Sequence, residues 1–384
     1  MPKTETLDIL SRLVGFPTVS AQSNLDLIDY VEGLLIEAGF EVHRVPDPEL
    51  PKAGLFARIG GNGPGGVLLS AHSDVVPSDG QVWSRPAFEL TREGGRLYGR
   101  GTTDMKGFLA SMLSLARRAG TAATTRPLML SISYDEEVGC QGMARMLPAF
   151  TQLGWRPQLC IVGEPTSMRP AIGHKGKAAF RAVCRGTTGH SALAPRFVNA
   201  LYPAGEFLEA LRKLQEGFRA TGARDAGYDI PYSTVHAGRM QGGSALNIVP
   251  DRAEIDFELR YLPGDSLATF KADIDQAAAE ITDRWRQIDP AAAVEIIQTN
   301  AYPGLHVPPD SSAVVRVAGF AANDKTMKVA FGTEAGYFAG LGIPTIVCGP
   351  GDMTGQGHRP DEYLEAAQLA ACDGMMDEIL SDLR

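Results

Sequence analysis

The chain has 384 residues, of which 44% are hydrophobic, 21% charged and 7% aromatic, which fits a soluble globular protein and makes two domains the expectation for this length. Its 45 acidic residues against 36 basic ones leave a net charge of -9, which argues against a sequence-independent grip on nucleic acid or on an anionic membrane. The five cysteines (Cys140, Cys160, Cys184, Cys348, Cys372) are scattered and form no CxxC pair, so they read as buried thiols rather than a disulfide framework or a sulfur-ligated zinc site.

In chain order, the N-terminal MPKTETLDILSRLVGF carries charges among its apolar residues and reads neither as a signal peptide nor as a membrane span, which makes the cytoplasm the expected location. Residues 25–38 have apolar side chains at helical spacing with Gly39 as a C-terminal cap, and 40–45 read as a strand. Residues 55–59 look extended, GGNGPGG makes a turn, and 67–71 form a short apolar strand that delivers His72, Ser73 and Asp74 to its end. GGNGPGG lacks the lysine and hydroxyl residue of a phosphate-binding loop. The spacing of Phe108, Met112, Leu115 and Ala116 predicts a helix over 105–119. Residues 128–134 and 159–162 are further strands, the first running into Asp135, Glu136 and Glu137, the second into Gly163 and Glu164.

From about residue 177 the texture changes. Residues 178–184 and 253–261 read as strands, with helical patterns over 201–214 and 267–285, the signature of a small α+β sandwich. From about 294 the α/β pattern returns, with a strand at 345–348 followed by GPGDMTGQGHRPDE. The expectation is an α/β protein with a mixed-sheet catalytic domain in two parts, 1–176 and 293–384, and an inserted α+β domain over 177–292.

Strand and loop ends present one kind of group: His72 with Asp74, Asp104, the acidic triplet, Glu164 and, far downstream, His358. Imidazoles and carboxylates in this mixture suit zinc or another borderline divalent ion, and the excess of carboxylates allows one to bridge two ions. Taken singly, each residue has a plainer reading. A strand-end histidine can be locally satisfied, Asp104 can cap the following helix, and the triplet can be a solvated helix start.

The joint placement resembles the M20 family of co-catalytic metallohydrolases, the family of acetylornithine deacetylase and succinyl-diaminopimelate desuccinylase. SAHSDVVP, GRGTTDMKG, YDEEVG, GEPT, GHS, GGSALNIVPD and GHRPDE carry the resemblance nearly end to end. It implies a zinc-exopeptidase-like catalytic domain with an inserted dimerisation or lid domain. It implies His72, Asp104 and Glu164 around one zinc, and Asp104, Glu137 and His358 around a second, with cobalt able to substitute. Glu136 is then the general base, and Asp74 orients His72. His190 is similar to the family histidine that reaches into the partner subunit of a homodimer to stabilise an oxyanion. Asn247 and Arg260 match positions that line the cleft or bind a substrate carboxylate, and Lys175 and Glu334 resemble the acetylornithine deacetylase branch. Glu334 has two readings, a partner for a substrate ammonium or a structural carboxylate under the metal loop. The implied reaction is hydrolysis of a small-molecule N-acyl amino acid, with acetylornithine first. Another N-acyl amino acid or dipeptide, succinyl-diaminopimelate among them, and a non-catalytic metal-binding protein remain alternatives. The spacing between GPG and His358 is longer than is typical of the acetylornithine deacetylases.

Overall fold

A computed structural model describes residues 1–20, 22–61 and 65–384; within the turn expected at GGNGPGG, residues 62–64 lie outside the described residues. Contacts divide the chain into two units, Met1–Gly173 with Leu305–Arg384, and His174–Gly304.

The first unit is built on a nine-stranded mixed sheet. Its order is Glu41–Pro46, Ala53–Ile59, Leu128–Ser133, Val67–His72, Leu159–Val162, Thr345–Val347, Ala171–His174 and Leu305–His306, with Met327–Val329 paired to Ala171–His174. Four neighbouring strands run parallel: Leu128–Ser133, Val67–His72, Leu159–Val162 and Thr345–Val347. Such strands are covered on both faces, which is why VLLSAH and LMLSIS are buried throughout rather than alternating. Helix Gly107–Thr121 packs against Thr4–Val14, Leu25–Glu37 and Ala366–Leu383, and helix Gln141–Leu153 packs against Ala335–Gly340. The chain passes from Val67–His72 to the strand on one side of it and then to the strand on its other side. This order reversal leaves a crevice outside the carboxyl ends of the strands, where open α/β sheets bind their ligands.

The second unit is an antiparallel four-stranded sheet, ordered Thr234–Gly242, Arg252–Tyr261, Gly176–Arg185 and Ala293–Tyr302. Helices Leu201–Thr221 and Leu267–Arg286 enclose its core, in which Phe180, Phe207, Ile255, Phe257, Phe270 and Ile274 are buried. Phe180 lies opposite Phe257 in the register, with ring centroids 5.3 Å apart. The intervening side chains, such as Arg181, Glu254 and Asp256, point to the other face and pair there by charge. This is the alternation of a sheet packed on one side only.

The expected return to the first unit at residue 293 falls about a strand too early. Ala293–Tyr302 pairs with Gly176–Arg185 and closes the second unit's sheet, so the return comes at Leu305. The five cysteines are all free and buried. Among the described residues no helix is long and apolar enough to cross a membrane.

Candidate metal centre

The parallel strands aim their carboxyl ends at one place. His72 is the last residue of Val67–His72, the acidic triplet follows Leu128–Ser133, Glu164 follows Leu159–Val162, and the loop bearing His358 follows Thr345–Val347. Two glycines permit this closeness. A Cβ on Gly163 would lie 2.0 Å from the Phe108 ring, and one on Gly142 would lie 1.9 Å from the Tyr134 carbonyl oxygen, just before the triplet. Asp104 lies in the short segment Thr102–Lys106 ahead of helix Gly107–Thr121, and no side chain caps that helix. Its carboxylate is committed elsewhere.

That commitment organises the site. Asp104 Oδ1 is 3.1 Å from His72 Nε2, and Asp104 Oδ2 is 3.1 Å from His358 Nε2. His358 Nε2 is 3.0 Å from Glu137 Oε2, and His72 Nε2 is 3.8 Å from Glu164 Oε1. Both sets of three implied by the sequence therefore meet through one carboxylate. Ligand atoms of His72, Asp104 and Glu137, and likewise of His72, Glu136 and Glu164, lie within 4.8 Å of one another. The second of these sets brings in Glu136 as well.

The electrostatics call for a cation. Burial pushes the Glu136 and Glu164 carboxyls well above their usual range, and neighbouring carboxylates push them further. Burial and the Asp104 charge raise Glu137 to about 7. Burial opposes charge on Asp104 too, but hydrogen bonds from His358 and His72 hold it below its usual value. The same contacts from Asp104 and Glu137 raise His358 to about 10. Glu164 Oε1 is buried with no hydrogen-bond partner. Four carboxylates facing two imidazoles, one with an orphaned oxygen, fit divalent cations better than protons alone.

Supporting groups surround the set. His72 Nδ1 is 2.9 Å from the Asp74 carbonyl oxygen and 3.5 Å from its Oδ1. The Asp74 carboxylate also accepts the N–H groups of Glu136 at 3.1 Å and Glu137 at 3.3 Å. The Cys140 thiol, which burial pushes well up and so keeps protonated, donates to Glu136 Oε1 at 3.3 Å. Sequence reasoning missed Cys140. It also missed Arg100 and Glu362, a fully buried pair at 2.7 Å. Glu362 Oε1 accepts the N–H groups of Thr103 at 3.0 Å and Asp104 at 3.2 Å, while Arg100 donates to the Arg359 carbonyl beside His358. The pair thus ties the Asp104 segment to the His358 loop. Both residues lie inside GRGTTDMKG and GHRPDE, so a buried opposite-charge pair was there to be asked about.

The remaining predicted residues separate into two groups. Glu334 belongs to the first unit, 1% exposed, where burial raises it to about 7 against the Ser133 hydroxyl and the His72 ring. His190, Asn247, Lys175 and Arg260 all lie in the second unit. His190 and Asn247 are exposed neighbours: Ser191 N–H donates to the Asn247 carbonyl, and His190 pairs with Ile248 across two short strands. Arg260 donates to Glu258 at 2.9 Å and to the Tyr302 hydroxyl at 3.3 Å. Lys175 gives its ammonium to the Ile230 carbonyl at 2.8 Å and to that of Tyr232 at 2.5 Å. These bonds tie Lys175 to the segment at residues 230–232.

An imidazole and carboxylate cluster at the ends of parallel strands, buried apart from His358, is the donor set of a metal-binding class of protein. Residues 68–382 match the model of peptidase family M20/M25/M40. The acetylornithine deacetylase of Salmonella arizonae is 34% identical over 365 residues, covering 94% of this chain and 92% of that protein. Among solved structures, an M20 family metallo-carboxypeptidase from Sulfolobus solfataricus superposes with a TM-score of 0.77 at 18% identity, covering 98% of this chain and 99% of that one. A dinuclear metal binding M20 peptidase from Bacillus subtilis gives 0.67 at 17% identity, covering 99% and 98%. The chain belongs to peptidase family M20/M25/M40 and is an amide hydrolase of that family.

Proposed function

We propose that the protein removes the acetyl group from N2-acetyl-L-ornithine, giving L-ornithine and acetate, as a dizinc enzyme of cytoplasmic arginine biosynthesis in which cobalt can replace zinc. The observation that carries the metal assignment is the Asp104 carboxylate, whose two oxygens each face a different imidazole at 3.1 Å. The similarity to acetylornithine deacetylases along 94% of the chain supports the substrate.

His72, Asp104 and Glu164 would hold one cation, and Asp104, Glu137 and His358 the other. Such ions supply polarisation of the amide carbonyl and acidification of water. Glu136 takes the proton that water gives up and returns it to the departing amine, so that water is divided between acetate and ornithine. Cys140 holds Oε1 of that carboxylate, which leaves Oε2 for the proton. Asp74 fixes the His72 ring through Nδ1 and so directs Nε2 at the cluster.

The inserted unit would form a homodimer, and the exposed His190 and Asn247 would serve the other subunit's site, with Arg260 directed to the substrate carboxylate. A monomeric yet fully active preparation would contradict this arrangement. The substrate is tested by comparing kcat/KM for acetylornithine, succinyl-diaminopimelate, acetylmethionine and a dipeptide, with zinc or cobalt added. Acetylornithine is expected to lead, and a preference for the succinyl compound would overturn the substrate assignment.

A further inference from the structure

Asp135 is the one acid of the triplet that neither the metal set nor proton transfer uses, and Lys52 belongs to none of the sequence motifs. Their side chains are each 6% exposed, and the Lys52 ammonium bonds both the Asp135 carboxylate and the Ser20 carbonyl. From Ser20 the connection continues. Its hydroxyl donates to Asp74 Oδ2 at 2.7 Å, and the Asp74 carboxylate accepts the N–H groups of Glu136 and Glu137 at 3.1 and 3.3 Å. The bonds run from Asp135 through Lys52, Ser20 and Asp74 and close on the peptide that follows Asp135.

What the ring encloses is the turn that carries Glu136. Asp135 has φ 55, a left-handed conformation uncommon outside glycine, though aspartate enters it more readily than most side chains. On the far side of the turn, the Glu136 carbonyl accepts the N–H groups of Gly139 and Cys140, each at 2.8 Å. Lys52 is itself placed by the sheet. Ala53–Ile59 is antiparallel to Leu128–Ser133, and three steps beyond the pair Leu55 and Ile132 that register sets Lys52 opposite Asp135. A buried ion pair is poor evidence of stabilisation, because apolar residues of similar volume often serve as well. Its value here lies in direction.

We propose that the Lys52–Asp135 pair is a positioning device for Glu136, fixing the turn so that the carboxylate meets the reacting water. This rests on the reading of Glu136 as the proton-transfer group. Neither residue touches substrate or metal in this assignment.

The test compares zinc-loaded Lys52→Met, Asp135→Asn, the double variant and Lys52→Arg, using the best substrate of the panel above. Each neutralising single variant strands a buried charge or weakens its partner, so Tm falls; the double variant regains it. In the double variant kcat stays about 100-fold down, because a small displacement of a reacting group costs that much. Its KM stays within about twofold and its zinc content is unchanged. Lys52→Arg, which keeps a cation for Asp135, recovers at least about tenfold of the kcat lost in Lys52→Met. Where a single neutralisation unfolds the chain, the double variant and Lys52→Arg carry the comparison with wild type. A double variant with wild-type kcat overturns the proposal, as does loss of zinc in step with kcat. A zinc-loaded wild type that hydrolyses no member of the panel overturns the proposed N-acyl amino acid reading on which this role for the pair rests.

Discussion

The candidate metal centre of the first unit and the open sheet face of the second are both crowded with charge, and they handle it in opposite ways. On the sheet face each base has its acid: Arg181 with Asp256 at 2.6 Å, Arg185 with Glu295 at 3.0 Å and Lys177 with Glu258 at 3.1 Å, all partly exposed. At the centre, carboxylates outnumber imidazoles, and His72, Asp104 and Glu164 are at most 5% exposed. Water screens the first arrangement, so its pairs contribute little. Water screens little of the second around His72, Asp104 and Glu164, so its imbalance favours an external cation. Charge density alone therefore does not mark function; buried charge without an equal partner does.

The contrast can be broken at its strong end first. Glu136→Ala should lower kcat by about 10²–10⁴-fold, the usual worth of a general base, with zinc content by atomic absorption unchanged. Full activity in that variant would remove Glu136 from proton transfer. Arg100→Met should come next, since it leaves Glu362 buried without its cation and so costs about 3–5 kcal/mol in denaturant unfolding. A loss no larger than that of a surface pair would show that the Asp104 segment and the His358 loop do not depend on it.

A subtler effect follows from proton affinity. Folding raises Glu137 from 4.5 to about 7 and His358 from 6.5 to about 10, so the folded chain binds these protons more tightly than the unfolded one. Metal-stripped protein should therefore lose stability as pH rises from about 4.5 to about 10, the Glu137 part being spent by about 7. Melting after EDTA treatment should show Tm falling from about pH 5 to about pH 9, and added zinc should suppress that fall. A pH-independent Tm would mean that the carboxylates do not press on one another as the geometry implies. At the weak end, Arg181→Ala on the sheet face should change stability by no more than about 0.5 kcal/mol.

Much of the centre was legible because its members end strands. His72, the triplet and Glu164 each follow a short apolar run, and a run that stops on an ionisable residue can be recognised locally. Lys52 could not be found this way. A lysine after a proline reads as surface, and only the antiparallel register brings it opposite Asp135. The same reason hid the end of the inserted unit. AVEIIQTNAY is a strand whose partner lies far back in the chain, Arg185 bonding Glu295 across a separation of 110 residues. Alternation tells that a segment is extended, not which sheet it joins. Glu334 was read in two ways because its motif names the residue without its depth, and depth is a tertiary property.

The insertion leaves from Ala171–His174 and the chain returns at Leu305–His306, and these are neighbouring strands, with Val307 N–H donating to the Ile172 carbonyl at 2.8 Å. The second unit is thus spliced in at a seam, as a branch is grafted at a single cut. A change in the length of the second unit would therefore leave the strand order of the first unit's sheet untouched, because both ends of the insertion are held by one pair of neighbouring strands.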